Sequence, residues 1–315
     1  MAKKCSRGLN ERKINAFKQS CLSTLYKEHQ NELIIGVRNG YLNLYHNCDS
    51  IAKMSGNAER CEVSTYYTDK DIKYISDKEI YEKYEDIKLK SRERCTDEKK
   101  AQAALVLKNN ANPNSNWYCY DVEYKKQFES IEDRENSKFN GRFDILAISK
   151  TLPHRIAIIE LKYGSGAIGG KSGIYKHIED YKTFQDNNFY DAFKHEAIDE
   201  INTLIQLGVS VPIELHSLKE TDLAKCPEFY VVTLNNNPKS KNASTPKQTM
   251  AGYLFSTRRW DCKKLSQRTV EAKFGDVTNK KNDITVTFLF SKETLDNLSI
   301  DDIIDSDKYE RENPK

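Results

Sequence analysis

Two apolar runs, each of which meets charged residues at one end, constrain the fold of this chain more than any other feature. They lie in residues 141–164, GRFDILAISKTLPHRIAIIELKYG. Short runs rich in Ile and Leu that are bounded by turn residues predict buried strands. We therefore predict two consecutive strands, at residues 143–148 and 155–162.

Charged side chains are placed where these strands begin or end. Asp144 opens the first strand, and Glu160 and Lys162 close the second. Because alternate residues of a strand share a face, Glu160 and Lys162 continue the face formed by Ile156 and Ile158. An unpaired buried charge costs on the order of several kcal/mol. The pattern therefore indicates a polar site, in which a bound cation or a reacting anion compensates the charges.

This set of side chains suits the hydrolysis of a phosphodiester bond. Carboxylates from adjacent strand ends hold hard cations such as Mg²⁺ through their oxygen atoms. Such an ion polarises a phosphoryl oxygen and lowers the pKa of a bound water. A neighbouring lysine can orient that water and stabilise the charge of the transition state. Asp144 and Glu160 are the predicted carboxylates, and Lys162 is the predicted lysine.

The surrounding elements predict an α/β core with a mixed sheet. Thr96 is the expected N-cap of a first helix, and the pattern then runs helix, three strands, two helices, strand. In chain order these elements are residues 97–108, 117–124, 143–148, 155–162, 174–184, 191–207 and 229–234.

The combination resembles the PD-(D/E)XK, or restriction-endonuclease-like, nuclease superfamily. Asp144, fifteen intervening residues (145–159) and Glu160-Leu161-Lys162 match its motif, and its core has the order α-β-β-β-α-β. The resemblance implies Asp144, Glu160 and the Leu161 carbonyl as metal ligands. Lys162 is then the water-activating or charge-stabilising lysine. A glutamate on the first core helix often joins the site, and Glu98 is our candidate.

The resemblance implies a Mg²⁺-dependent DNA endonuclease of restriction, defence or repair type, for which Mn²⁺ can replace Mg²⁺. RNA stays open as a substrate beside DNA, and a homodimer is considered as an assembly. Two alternatives are retained. The first is a nucleic-acid-binding protein that keeps the core without catalysis. The second is a P-loop NTPase, because residues 164–172 approach the pattern G-x-x-x-x-G-K-[ST] but have Ser165 where glycine is required.

Five residues are predicted to contact the nucleic acid. One branch of the superfamily carries Gln-x-x-x-Tyr on the helix after the motif. In this chain His177 replaces the glutamine, and Tyr181 keeps the tyrosine. Lys171 and Lys176 lie near the start of the same helix, and Arg142 begins the first of the two motif strands. Basic side chains at these places can approach phosphates.

The chain is predicted to have two domains. Residues 1–92 are expected to form an α+β domain for recognition or dimerisation, and residues 93–315 a nuclease domain with a basic C-terminal extension. In the first domain we predict a helix at 11–28, a β-hairpin around Asn39-Gly40 and an exposed helix at 77–94.

The overall composition does not by itself indicate a nucleic-acid partner. The net charge is +3, from 50 Lys and Arg against 47 Asp and Glu, so a basic surface must be local. Residues 239–282 supply one, with eleven Lys and Arg against three acids. The chain has no apolar stretch of about 18 residues, no secretory signal at residues 1–10 and no C-x-x-C pair. We therefore expect no membrane partner, reduced cysteines and a cytoplasmic location.

Two sets of side chains are expected to have structural or surface positions only. Glu196 and Glu200, four residues apart, are expected on the surface. Sheet packing is the expected role of four tyrosines near the N-terminus, namely Tyr41, Tyr45, Tyr66 and Tyr67.

Overall fold

The fold belongs to the α/β class and contains two sheets. The computed structural model describes residues 7–68, 72–128, 130–164, 173–235, 259–264, 269–275, 284–290 and 299–304. Five strands form an antiparallel sheet, and seven form a mixed sheet. Within the described ranges, every helix is too short or too polar to span a bilayer.

The N-terminal region contributes the five-stranded sheet and four helices. Ser20 divides the predicted helix at 11–28 into two, because its side chain accepts a hydrogen bond from the Ser23 N–H and starts a new helix. The predicted hairpin is confirmed, with Arg38 opposite Tyr41 and Gly40 at φ +74°. The elements are α1 (Glu11–Lys18), α2 (Cys21–Glu28), β1 (Leu33–Arg38), β2 (Tyr41–His46), β3 (Asp49–Met54), β4 (Cys61–Glu62), β5 (Tyr74–Ile75), α3 (Asp77–Glu82) and α4 (Tyr84–Arg94).

The rest of the chain follows the predicted order of helix, three strands, two helices and strand. Thr96 caps α5 as predicted, since its side chain accepts a hydrogen bond from the Lys99 N–H. Helix α6 and strands β10 to β12 were not predicted. The elements are α5 (Asp97–Ala111), β6 (Trp117–Lys125), α6 (Ile131–Ser137), β7 (Arg142–Ser149), β8 (Ile156–Tyr163), α7 (Ile174–Asp186), α8 (Tyr190–Leu207), β9 (Glu228–Leu234), β10 (Arg259–Lys264), β11 (Thr269–Gly275), β12 (Ile284–Phe290) and α9 (Ile300–Ile304).

Strand β8 lies near the centre of the seven-stranded sheet, whose order is β10-β11-β12-β9-β8-β7-β6. It pairs antiparallel with β7 and parallel with β9. Its alternate residues pack into two cores on opposite faces. Ile156 and Ile158 belong to the core that includes α7 and α8, while Ala157 and Ile159 belong to the core that includes α5. Helices therefore cover both faces, and the sheet is buried at its centre.

A buried group of charges joins the N-terminal region to the seven-stranded sheet. We call Arg7, Arg38, Asp121 and Glu200 the Arg–carboxylate cluster. Arg7 and Arg38 place Nη1 2.5 and 2.7 Å from the two carboxylate oxygens of Asp121 on β6. Glu200 on α8 lies 3.4 and 3.7 Å from the same two guanidinium groups. The predicted domain boundary at residue 92 stays a prediction, and these contacts cross it.

The surface position expected for two glutamates is wrong. Glu196 and Glu200 are buried, because α8 turns this side toward β1 and β6. Tyr124 donates a hydrogen bond to Glu196 at 2.8 Å, and Lys126 lies 3.6 Å from the same carboxylate. The helix 77–94, predicted to be exposed, also buries Ile80 and divides into α3 and α4.

Candidate active site

The antiparallel pairing of β7 and β8 stops where the two predicted carboxylates begin. The last described pair is Ile145 with Ile159, and continuing the same register would place Asp144 opposite Glu160. Instead, the Asp144 carboxylate accepts a hydrogen bond of 2.9 Å from the Leu161 N–H. The Asp144 side chain thus accepts the hydrogen bond that a backbone carbonyl of β7 would otherwise accept from β8. The carboxylates of Asp144 and Glu160 lie on these two neighbouring strands.

Glu160 lies at the centre of the site and is only 1% exposed. Lys162 Nζ is 2.7 Å and His177 Nε2 is 2.9 Å from Glu160 Oε1. Both contacts converge on Oε1, and the other oxygen, Oε2, is buried without a hydrogen-bond donor. The carboxylate is therefore held by nearby charge and retains acceptor capacity.

The first core helix brings the fourth predicted residue to the same place. Glu98 is in the first turn of α5, and its Oε1 lies 3.5 Å from Lys162 Nζ. Lys162 thus lies between two glutamates, one on its own strand and one on α5. We call Glu98, Asp144, Glu160, Lys162 and His177 the strand-end cluster.

Asp144 has an electrostatically unfavourable position for a carboxylate. Burial, followed by the charge of Glu160, raises its pKa well above the ordinary value, although Lys162 and the Leu161 N–H act in the opposite direction. Glu123 on β6 adds to the increase. Proximity to a second carboxylate typically has this effect. Added positive charge at this point would therefore stabilise the ionised form of Asp144.

Glu160 and Lys162 stabilise each other's charged forms. Burial alone raises the pKa of Glu160, but the contacts with His177 and Lys162 outweigh it, so the pKa lies below the ordinary value. Burial alone lowers the pKa of Lys162, but Glu160, Asp144 and Glu98 outweigh it, so the pKa lies above the ordinary value. At neutral pH the pair is therefore a buried carboxylate beside a charged ammonium group.

Helix α7 approaches the site because it packs closely against the backbone at Gly141, just before β7. A β-carbon on Gly141 would lie 2.8 Å from Cβ of Asp180, so glycine lets α7 approach the start of β7. Asp180 is one turn beyond Lys176 and lies 2.5 Å from its ammonium group. The neighbouring His177 reaches Glu160 from this helix.

The residues predicted to contact nucleic acid have different positions. Lys176 is exposed but paired with Asp180, and Arg142 is exposed and lies 2.8 Å from Glu123. Tyr181 is buried, with its ring stacked on Phe229 at 4.2 Å. It donates to a backbone carbonyl at 3.1 Å, so we leave it out of any binding surface. Lys171 and the glycine-rich residues 165–172 lie outside the described residues.

One acidic residue at the site was missed in the sequence. Glu123 interrupts the apolar strand β6, has φ +55° and pairs with Arg142. Its register neighbours Val122 and Tyr124 pair with Ile145 and Phe143, so it lies level with Asp144. An acid near the end of an apolar strand was the available signal, the same signal that identified Glu160.

The donor set suits a hard cation, although the arrangement is not a complete ligand shell. Asp144 and Glu160 offer carboxylate oxygens, which Mg²⁺ prefers, and Oε2 of Glu160 lacks a hydrogen-bond donor. Among the described residues, no three His, Cys, Asp or Glu side chains are arranged to hold a metal ion. Mg²⁺ commonly keeps several waters and uses only one or two carboxylates, so the residues present fit it.

Comparison with known proteins adds no assignment. Searches against protein-family models, curated proteins and solved structures found no match for this chain. The geometry of the strand-end cluster is therefore the observation from which function can be inferred.

Proposed function

We propose that this protein is a metal-dependent nuclease that hydrolyses phosphodiester bonds, with DNA as the substrate. The observation that carries the proposal is the meeting of Asp144, Glu160 and Lys162 where β7 and β8 part. This is the arrangement expected from the restriction-endonuclease-like resemblance. The order of elements, with β8 antiparallel to β7 and parallel to β9, supports that resemblance.

Each side chain has a role that follows from its position. Asp144 and Glu160 would hold Mg²⁺, which supplies Lewis acidity and a water of lowered pKa. The Leu161 carbonyl remains a predicted third ligand. Lys162 remains charged beside Glu160, so it is placed to stabilise the negative charge that builds on a phosphoryl group. Glu98 holds the Lys162 ammonium from the side of α5.

The test is cleavage of plasmid, linear and single-stranded DNA, and of RNA, with Mg²⁺, with Mn²⁺ and with EDTA. We expect cleavage of DNA with either metal and none in EDTA. Lys162→Ala should abolish cleavage, while Lys78→Ala, an exposed lysine on α3, should cleave as the wild type does. Cleavage that survives both Lys162→Ala and Glu160→Ala contradicts the proposal.

A second candidate is a nucleic-acid-binding protein without catalysis. The observation that favours it is that Glu160 already has Lys162 and His177 at ion-pair distance. A site neutralised by its own side chains has less need of a cation. This candidate predicts binding of DNA in EDTA and no cleavage with any divalent metal.

A further inference from the structure

A polar cleft of about 400 Å³ opens on the five-stranded sheet, and the strand-end cluster does not use it. Side chains from β3, from β4 and from the end of α4 line it. We call it the N-terminal cleft, and its principal lining residues are Asp49, Lys53, Glu62, Ser64, Lys73 and Arg94.

Two lysines of the cleft share one carboxylate. Lys53 Nζ and Lys73 Nζ each lie 3.0 Å from an oxygen of Glu62. The Lys73 side chain is 56% exposed, so it can turn toward a ligand without breaking the packing of the sheet. One acid and two ammonium groups leave a surplus positive charge on this wall.

The opposite end of the cleft repeats this arrangement. Arg94 Nε lies 3.7 Å and Lys99 Nζ lies 4.0 Å from the Asp49 carboxylate. Arg94 also donates a hydrogen bond of 2.8 Å to the Ser64 hydroxyl. Arginine, lysine and hydroxyl side chains are among the usual contacts to phosphate oxygens.

Two exposed aromatic rings lie beside cations that line the cleft, Tyr66 beside Arg94 and Tyr74 beside Lys73. Tyr66 and Tyr74 are 46% and 42% exposed, and cations lie over both rings. The guanidinium of Arg94 is 5.4 Å from the Tyr66 centroid, and that of Arg60 is 4.3 Å from the Tyr74 centroid. The expectation that Tyr66 packs in the sheet is therefore wrong, whereas Tyr67 is buried as expected.

We propose that the N-terminal cleft binds a single strand of DNA, with phosphates on its lysines and Arg94 and with bases stacked on Tyr66 and Tyr74. A positive groove bordered by exposed rings is how proteins hold single strands without reading their sequence. An acidic peptide would pair with the cations only, whereas a nucleic-acid base can also stack on the exposed part of each tyrosine ring, so the rings favour nucleic acid.

The cleft is also close to the strand-end cluster along the chain. Arg94 ends α4, and Glu98 lies four residues later, at most roughly 14 Å away along an extended chain. A strand held in the cleft can therefore continue toward Lys162. In this respect the inference rests on the proposed nuclease function, but binding in the cleft can be measured separately.

The experiment measures the fluorescence anisotropy of a labelled single-stranded DNA oligonucleotide in EDTA, where a metal-dependent nuclease does not cut. Tyr66→Ala should weaken binding by about 5- to 100-fold. Lys53→Ala/Arg94→Ala should reduce the slope of log K against log salt by about 1.4. The exposed Lys73→Ala avoids any loss of folding, and circular dichroism checks every variant. Lys78→Ala and Tyr81→Ala on α3 are the matched controls.

Each result decides for or against the cleft. Loss of binding in the cleft variants but not in the controls supports it. Absence of binding by the wild type, equal binding by all variants, or equal competition by polyglutamate overturns it. If the cleft variants bind normally while the wild type cleaves DNA with Mg²⁺, the cleft proposal fails and the nuclease stands. If single-stranded DNA binds through the cleft but no DNA is cleaved with Mg²⁺, the nuclease proposal fails and the cleft proposal stands.

Discussion

The Arg–carboxylate cluster and the strand-end cluster both bury carboxylates, but their charges are balanced differently. In the first, Arg7 and Arg38 face Asp121 and Glu200, so two cations meet two acids, and all four side chains are buried. In the second, three acids surround Lys162 and His177, and Glu123 stands nearby.

The difference separates a cluster that holds the fold together from one that can accept a ligand. Removing one partner from a buried charge network is costly, because the opposite charge is left buried without compensation. The strand-end cluster carries an excess of acid at the end of a strand ladder, and part of Asp144 is accessible to solvent. Four measurements test this difference between the two clusters.

The largest effect on activity is expected for Asp144→Asn. The asparagine keeps the acceptor for the Leu161 N–H but removes a carboxylate, so the rate should fall by about 100- to 1,000-fold. Because the pKa of Asp144 is raised in the folded protein, the neutral side chain should not lower the free energy of unfolding. Cleavage assays and urea denaturation measure the two quantities. If Asp144→Asn cleaves DNA at the wild-type rate, the strand-end cluster does not differ from the Arg–carboxylate cluster in this respect.

The second effect is expected for Asp121→Asn in stability. The variant leaves two buried guanidinium groups without their closest carboxylate, which costs about 3–5 kcal/mol of unfolding free energy. Asp191→Asn is the matched control, because this exposed aspartate pairs with Lys194 at the surface and should change stability by less than about 1 kcal/mol. Equal losses in the two variants would show that the Arg–carboxylate cluster does not hold the fold.

The third effect is stabilisation by Mg²⁺ in thermal or urea unfolding. At a concentration ten times its Kd, an ion that binds only the folded protein adds about 1.4 kcal/mol. The wild type and Asp191→Asn should show this gain, and Asp144→Asn should not. A gain that persists in Asp144→Asn would place the ion elsewhere.

The smallest effect is the pH dependence contributed by Glu200. Burial, followed by the charge of Asp121, raises its pKa well above the ordinary 4.5, and Arg7 and Arg38 offset part of the increase. The folded state therefore holds the proton more tightly, and stability declines as pH rises from 4.5 through the raised pKa. Glu200→Gln lacks this proton, so its stability relative to the wild type should increase between pH 5 and pH 8. Urea denaturation across this range measures it, and a constant difference would contradict the assignment.

The sequence predicted the strand-end cluster well because its signals are local. Period-two alternation places Glu160 and Lys162 on one face, and Thr96 fixes the start of the helix that carries Glu98. That Glu98 joins the site was expected only from the superfamily resemblance, and its carboxylate lies 3.5 Å from Lys162 Nζ. The contact of His177 with Glu160 did not follow, because it depends on how closely α7 approaches the sheet at Gly141.

The Arg–carboxylate cluster could not be predicted, for a physical reason. Glu196 and Glu200 have the spacing of an exposed helix face, and only their distant partners reveal that they are buried. Arg7 and Asp121 are 114 residues apart, and the β6 register shift between Cys119 and Asp121 has no signal in residue type. Patterns of neighbouring residues therefore could not predict ion pairs between residues that are far apart in the sequence.

The span between Arg7 and Asp121 also matters during synthesis. Ribosomes add about 5–20 residues per second, so Asp121 is made roughly 6 to 23 s after Arg7. During that interval the nascent N-terminal segment carries two guanidinium groups that its later neighbours have yet to neutralise. The Arg–carboxylate cluster can therefore form only after β6 has left the ribosome.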